Sequence, residues 1–430
     1  MKVALINPAW HFEHSIYFGC QAPHLPLELG YAAALLQAHG HRTLLLDGAL
    51  DGLDAAGLAK AAGAFAPDLA VVTTAPTYLF WRCTQPELRV PRDMLARLSA
   101  LGVRTVAVGP HGSSTPAAAL RGTGADIVLR GECEETVLAL AQAGGVPDHV
   151  PGAAWRGAGG NIRINGGPQA ARFTDAPPLR WPDAWIARHT HHHHRFDRTP
   201  EGPGAEVEAS RGCPYACTFC AKLDFRDGYR RRDLPPLLAE IDGLIAQGVR
   251  YLYFIDEIFL PQRPLLEALR DRAIAFGVQT RIDLWSPAML QLLGEAGCVS
   301  IEAGVESLTE AGRAALDKKC RMTTEALTDR LIEARRWVPF VQANLIRAAG
   351  DDAAAIAAWR ARLQAAGVWA NDPVPMFAYP GSPDYHQRWG APDDDAWDRA
   401  HADYLGQFDR MSDIQSDQPL PLQELERLAC

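Results

Sequence analysis

Short apolar runs alternate with stretches of helical periodicity along most of this 430-residue chain. Lys2–Ile6 reads as a buried strand, Leu27–His39 as a helix closed by Gly40, and Arg42–Leu46 as a second strand ending at Asp47. Asp68–Thr73, Arg104–Val108 and Ile127–Leu129 read as further strands, the last two running into Gly109-Pro-His-Gly112 and Gly131-Glu-Cys-Glu-Glu135. Short buried strands alternating with helices predict an α/β domain over residues 1–145: a doubly wound parallel sheet, Rossmann-like and flavodoxin-type. Ligands of such sheets bind beyond the carboxyl ends of the strands.

Residues 146–204 are rich in Gly, Pro, Trp and His and read as an interdomain linker, with short strands around Ala153–Arg156 and Asn161–Ile164. The run His189-Thr-His-His-His-His194 reads as a solvated loop, with substrate contact or adventitious metal binding as the alternatives for His191 to His194. From 205 to 385 a second series begins, with strands at Ala205–Ala209, Arg250–Ile255, Gln279–Leu284, Val299–Ala303, Phe340–Ile346 and Val374–Ala378. Helical patterns lie between most of them, among them Leu234–Gln247 and Pro264–Phe276. Six such strands with helices outside predict a partial (β/α)6 TIM barrel whose function sits at the carboxyl ends of the strands. The tail, 386–430, carries Trp389, Trp397, Tyr404 and Phe408 and reads either as a C-terminal helical cap over the barrel mouth or as a packed edge helix.

Composition narrows the class. Hydrophobic content of 48% with 22% charged residues is that of an ordinary globular chain. A net charge of −9 argues against non-specific nucleic-acid binding, which needs a basic face. The opening run Met1–Pro8 is too short for a signal peptide or a membrane span, so a cytoplasmic protein without membrane association is expected. Nine cysteines without an export signal are then mostly free thiols.

Three of those cysteines carry the chemistry. Arg211-Gly-Cys213-Pro-Tyr-Ala-Cys217-Thr-Phe-Cys220 spaces them as Cys-x3-Cys-x2-Cys, with no fourth cysteine at metal-site spacing. Structural zinc wants four ligands, and a fourth would have to come from the upstream histidines. Three thiolates hold three irons of a 4Fe–4S cluster and leave the fourth iron open to a substrate or cofactor. The segment resembles the signature of the radical S-adenosylmethionine (SAM) enzymes. That resemblance implies Cys213, Cys217 and Cys220 as cluster ligands and places Phe219 near the adenine of SAM. It further implies that the open iron binds SAM, and that electron transfer, from an external donor such as flavodoxin or ferredoxin, cleaves the sulfonium to a 5′-deoxyadenosyl radical.

Later motifs fit the same family. Tyr253-Phe-Ile-Asp256-Glu257 ends the second strand of the barrel series in two acids, which in relatives face the amino group of SAM; a helix N-cap acid is the alternative. Glu302-Ala-Gly-Val-Glu306-Ser307 resembles a family stretch from which Glu306 and Ser307 reach the ribose hydroxyls, and Arg321 follows to meet a carboxylate. Tyr379-Pro-Gly-Ser-Pro-Asp-Tyr385 resembles the turn after the last strand.

In the first domain, Pro26–Leu36, Gly109-Pro-His-Gly-Ser113 and Gly131-Glu-Cys-Glu-Glu-Thr136 are similar to the cobalamin-binding domain of radical enzymes, with Thr73, Thr74, Gly109 and Ser113 as floor residues under the corrin. There is no Asp-x-His-x-x-Gly motif, so no lower histidine ligand is expected, and a scaffold without corrin is the alternative. The architecture implies cobalamin-dependent methylation of an unactivated carbon in a small natural product or sugar-containing substrate. A radical epimerase, with Cys298 or Cys320 returning a hydrogen atom to the substrate radical, is the second reading, and a cobalamin-binding sensor the third.

Overall fold

The computed structural model describes residues 1–10, 24–76, 86–189 and 202–408. The first sheet holds seven strands: β1 (Lys2–Asn7), β2 (Arg42–Asp47), β3 (Leu69–Thr73), β4 (Arg104–Val108), β5 (Ile127–Leu129), β6 (Ala153–Arg156) and β7 (Ile162–Ile164). Their order is β2-β1-β3-β4-β5-β6-β7, parallel through β5, which is the flavodoxin-type order with its crevice between β1 and β3. The helices are α1 (Leu27–Ala38), α2 (Gly48–Asp51), α3 (Ala55–Phe65), α4 (Arg89–Ala100), α5 (Pro110–Ser114), α6 (Pro116–Thr123) and α7 (Glu134–Gln142). Two apolar layers cover the two faces of this sheet, one led by Leu29, Leu36, Val71 and Val137, the other by Ile6, Leu58, Val72 and Met94.

The strands at 153–164 are not linker structure. Both β6 and β7 join the first sheet antiparallel, with Ile127 opposite Trp155 and Trp155 opposite Arg163. Trp155 faces the core beside Leu129 and Val150, and that burial fixes the register. The short helix α8 (Asp183–Arg188) then leads to the second unit.

That unit contains the six-stranded parallel series β8 (Gly204–Val207), β11 (Tyr251–Phe254), β12 (Ala275–Thr280), β13 (Cys298–Glu306), β14 (Phe340–Leu345) and β15 (Trp369–Ala370), neighbours in that order. Between β8 and β11, the two-residue strands β9 (Ser210–Arg211) and β10 (Arg230–Arg231) pair antiparallel. Helices α9 (Leu234–Ala246), α10 (Arg263–Arg270), α11 (Pro287–Glu295), α12 (Glu310–Ala315), α13 (Thr324–Trp337) and α14 (Ala353–Ala365) connect the strands, and α15 (Pro383–Trp389) and α16 (Ala396–Phe408) follow. The barrel core is continuous with Leu25, Leu27 and Tyr31 around α1 and with Trp181 and Trp185.

Two expected elements move. The helix expected over Pro264–Phe276 ends at Arg270, and the strand expected at Gln279–Leu284 is Ala275–Thr280 followed by a 3₁₀ turn at Ile282–Leu284. Ala273 takes φ +48, which breaks the helix, and Ile274, Phe276 and Val278 alternate into the core. Residues 265–276 favour helix by composition, so tertiary packing overrides propensity here. The sixth strand is Trp369–Ala370 rather than Val374–Ala378; Val374 makes one isolated bridge to Ile346. Pro373 and Pro375 flank Val374 and lack the N–H groups a ladder needs.

Among the described residues no helix is long and apolar enough to cross a membrane. The tail helix α16 packs on the first unit: Trp397 Nε1 donates to Thr115 Oγ1 at 2.8 Å, and its ring stands 4.3 Å from that of His111.

Candidate active site

The cysteine loop, residues 212–229, leaves the carboxyl end of β8 and is closed at its neck by the β9–β10 pair. Gly212 sits at φ +76, and a Cβ there would lie 2.2 Å from Gly228 O, so the neck admits only glycine. Cys213, Cys217 and Cys220 are half-buried on this loop. Burial pushes the Cys220 thiol up to about 12 and raises Cys213 and Cys217. The thiols also sit close enough to raise one another, Cys213 with Cys217 and Cys220 with both. Two contacts tie the loop to the barrel: Thr218 N donates to Leu316 O at 3.1 Å, beyond β13, and Asp384 N, in α15, donates to Thr218 O at 3.0 Å. Three neighbouring soft donors, with no fourth thiol on the loop itself, suit a 4Fe–4S cluster with one open iron.

The neck is anchored across the domain boundary by buried ion pairs. Arg211 reaches Glu134 at 2.6 Å and Glu208 at 2.8 Å, and its guanidinium lies 4.4 Å from the Phe173 ring centre. Arg226 reaches Glu208 at 2.7 Å, Glu257 at 3.2 Å and Glu28 at 3.3 Å. Arg230 closes on Glu132 at 2.5 Å. Three guanidiniums thus face five carboxylates, three of them (Glu28, Glu132, Glu134) from the first unit. The excess of negative charge away from water shows in the acids: burial pushes Glu134 up to about 7 against the pull of Arg211 and raises Glu28 and Glu257. Burial would raise Glu132 too, but hydrogen bonds from Arg230 and the charges of Arg211 and Arg226 carry it below its ordinary value.

Several expected cofactor contacts take structural roles instead. Asp256 is fully buried; it accepts from Ala209 N at 2.9 Å and from Ser210 Oγ, and burial holds its carboxyl well above the usual range. Glu257 accepts from Gly212 N at 2.8 Å while paired with Arg226, so it fixes the loop neck. Ser307 Oγ is buried and donates to Asp351 at 2.8 Å. Cys298 opens β13 at its amino end, opposite the cysteine loop, and its thiol donates to Ser300 O at 3.3 Å. That position removes it as a hydrogen donor at the site, because the chemistry of such a barrel lies at the other end of the strands. Cys320 is half-buried in the connection after β13, against the barrel core near Met322. Arg321 is exposed and Phe219 is half-buried on the loop itself.

Glu306 does stand at the site. It ends β13 at φ +67, and Gly304 makes room for its carboxylate, since a Cβ there would lie 2.5 Å from Glu306 Oε1. Lys318 Nζ pairs with it at 2.8 Å. Sequence reasoning missed Lys318 and Arg281, whose charges both pull Cys217 down against its burial. Arg281 follows β12, stacks 4.0 Å over the Tyr215 ring of the cysteine loop and pairs with Asp283 at 2.7 Å. The misplaced third strand hid Arg281; with the strand at Ala275–Thr280 it falls one residue past a carboxyl end.

The first unit presents its own carboxyl edge to this loop. α5, which carries Ser114, packs against the 3₁₀ turn Lys222–Asp224 just past Cys220. Gly381, at φ +98, packs between them: a Cβ there would lie 2.9 Å from Ser114 Oγ and 3.0 Å from Asp224 Oδ2. The expected floor residues shape this edge. Gly109 takes φ +134, Ser113 Oγ donates to Gly109 O and accepts from Gly131 N, both at 2.8 Å, and Thr73 Oγ1 donates to Asn7 Oδ1 at 2.8 Å. Thr74 N donates to Val108 O at 2.8 Å, with its hydroxyl 3.1 Å from the His111 ring. The hydroxyls of Thr73 and Ser113 therefore tie strand ends together, and a small-residue edge that follows the backbone closely suits a flat ring. His191 to His194 lie outside the described residues.

Comparison with known proteins agrees with this geometry. Residues 207–337 match the Radical SAM superfamily. An uncharacterized methyltransferase of Pyrococcus horikoshii is 24% identical over 316 residues, covering 71% of this chain and 66% of its own. Cytidylyl-2-hydroxyethylphosphonate methyltransferase of Streptomyces wedmorensis is 25% identical over 362 residues, covering 71% and 65%. The chain therefore spans about two-thirds of the length of these curated relatives. The radical SAM methyltransferase TsrM from Kitasatospora setae, solved with cobalamin and a 4Fe–4S cluster, superposes with a TM-score of 0.70 at 17% identity over 99% of this chain and 84% of that one. The cobalamin-dependent SAM radical enzyme OxsB, solved with aqua-cobalamin, gives 0.65 at 16% over 80% and 49%. The fold is thus the one these two enzymes share: a Rossmann-like domain joined to a partial barrel.

Proposed function

We propose that this radical SAM protein is a cobalamin-dependent methyltransferase acting on a carbon of a small molecule. The observation that carries the reading is the meeting of the two carboxyl edges. α5, on the edge where a doubly wound sheet binds its ligand, packs against the turn Lys222–Asp224 just beyond Cys220, with Gly381 between Ser114 and Asp224. The methyltransferase relatives and the shared fold support the same reading. Epimerisation has less support: Cys298 stands at the wrong end of β13, which leaves Cys320 as its one candidate donor among the described residues, and the two curated relatives are methyltransferases.

A bound cluster, SAM and corrin supply electron transfer, the radical precursor and a methyl carrier. The chain supplies placement. Cys213, Cys217 and Cys220 hold the cluster, with Lys318 and Arg281 favouring the thiolate form of Cys217. Glu306, paired with Lys318 and close enough to Cys217 to act on its thiol, is the carboxylate we assign to an ammonium or hydroxyl of SAM. Gly109 and the α5 turn hold the corrin side, and the Arg211 and Arg226 pairs fix the distance between the two edges. An external one-electron donor completes the scheme.

Anaerobic reconstitution with iron, sulfide and hydroxocobalamin, followed by desalting and visible spectroscopy, tests this. A corrin band retained together with the broad iron–sulfur absorption is the expected result. Iron–sulfur absorption without corrin would overturn the methyltransferase reading and leave the first unit a scaffold.

A further inference from the structure

Away from the cysteine loop, three side chains from distant parts of the chain converge in the interior. His24 precedes α1, His189 follows α8, and Glu206 lies in β8. His24 Nδ1 is 2.8 Å from Glu206 Oε1, and His189 Nε2 is 2.9 Å from Glu206 Oε2. All three residues are buried, His189 and Glu206 completely, and their ligand-type atoms lie within 4.8 Å of one another. We propose that His24, His189 and Glu206 form a second metal site that takes one Zn²⁺ and clips the first unit to the first barrel strand.

The donor set and its orientation carry this. Two imidazoles and one carboxylate are a zinc set with one position left for water. His189 Nδ1 lies 2.6 Å from Gly204 O, the partner that a metal-bound imidazole commonly uses for its other nitrogen, and this aims Nε2 at Glu206. The carboxylate is held in place as well, by Leu25 N at 3.3 Å from Oε2. Tetrahedral bonds of about 2.0–2.1 Å place ligand atoms roughly 3.3 Å apart. Glu206 Oε1 lies 2.8 Å from His24 Nδ1 and 3.1 Å from His189 Nε2. These two spacings open by a few tenths of an ångström, while the two ring nitrogens, within 4.8 Å of each other, draw in around the ion. Zinc takes the place of the protons that the ring nitrogens share with Glu206, and those protons leave to solvent. A metal tie adds its binding free energy to the docking of the two units, beside the apolar packing of Leu25 and Leu27 on the barrel core.

The site is separate from the cluster. Glu206 lies two residues before Glu208, which anchors Arg211, whereas the cysteines lie beyond the strand end. The test is metal analysis of the full-length, cluster-reconstituted protein given one equivalent of Zn²⁺ and desalted, with X-ray absorption at the zinc edge. We expect about one zinc per chain beside the cluster iron, with a first shell of nitrogen and oxygen at about 2.0–2.1 Å. E206Q and H189Q should lower zinc at least ~tenfold with the iron unchanged, while replacing His191 to His194 with alanine should leave zinc in place. A sulfur shell near 2.3 Å would show zinc in the cysteine loop and overturn the proposal on wild-type protein. So would wild-type protein that retains no zinc, zinc retained by E206Q, or zinc lost with His191 to His194.

Discussion

Arg211 Nη1 lies 2.6 Å from Glu134 Oε1, a buried pair that joins the residue two places before Cys213 to the first turn of a helix in the other unit. Removing the cation leaves buried Glu134 without its ion-pair partner, while Glu208 keeps Arg226 and Glu132 keeps Arg230. Arg211→Met should therefore cost about 3–5 kcal/mol, the penalty for orphaning a buried charge. Urea unfolding of the mutant beside wild type measures it. Because the guanidinium also fixes the loop neck, the variant should hold less cluster iron at equal folded protein.

The same network gives stability a pH dependence of defined sign. Glu134 titrates near 7 in the folded chain and near 4.5 when unfolded. A raised carboxyl binds its proton more tightly when folded, so its contribution is complete below about pH 4.5 and is lost as pH rises through 7. Asp47, pushed up to about 6 by burial, acts in the same direction at lower pH. The unfolding free energy from urea titrations should fall between pH 5 and 8, by on the order of 2 kcal/mol from Glu134. Glu134→Gln should flatten that slope, and an unchanged slope would show that Glu134 is not the titrating group.

Asp256 is where motif and structure part. Two adjacent acids at a strand end fit cofactor binding, but Asp256 faces back into the strand junction and accepts from Ala209 and Ser210. Asp256→Asn should therefore leave the KM for SAM unchanged, while Asp256→Ala should destabilise the protein by about 1–3 kcal/mol through two unmet donors. A KM that rises in the Asn variant would restore the cofactor role.

Much of this was legible in the sequence where one local signal sufficed. The strands at 104–108, 127–129 and 153–156 stand where apolar runs put them, and the cysteine spacing identified its own chemistry. What was hidden depends on contacts between residues far apart. Nothing near Arg211 or Arg226 announces Glu134 or Glu28 as partners, and Arg281 became visible only once burial of Phe276 and Val278 moved the third strand. His24 and Glu206 lie 182 positions apart.

Cluster loading should depend on pH through the thiols. With no metal bound, burial holds Cys220 at about 12 and Cys213 and Cys217 above their ordinary values, so near neutrality all three are protonated and iron must displace three protons. The thiolate fraction rises roughly tenfold per pH unit in this range. The initial rate of anaerobic iron incorporation should accordingly climb between pH 7 and 9, and Lys318→Met should slow it by withdrawing a charge that favours the Cys217 thiolate. A rate flat with pH would mean that thiol ionisation does not limit loading.

The corrin side can be probed without touching the cluster. Gly109 sits at φ +134 and ψ −173, a conformation open essentially to glycine alone. It leads straight into α5, which packs against the turn Lys222–Asp224 of the cysteine loop. Gly109→Ala forces this turn to relax, at a strain of order 1–3 kcal/mol, and moves the edge on which the proposed corrin rests. Cobalamin retained per chain after desalting should fall several-fold, while iron per chain and SAM binding stay at wild-type levels, because the three cysteines are on a separate loop. If cobalamin retention is unchanged in a folded Gly109→Ala protein, the corrin does not rest on this turn. Loss of iron together with cobalamin would show that α5 also supports the cysteine loop through the turn Lys222–Asp224.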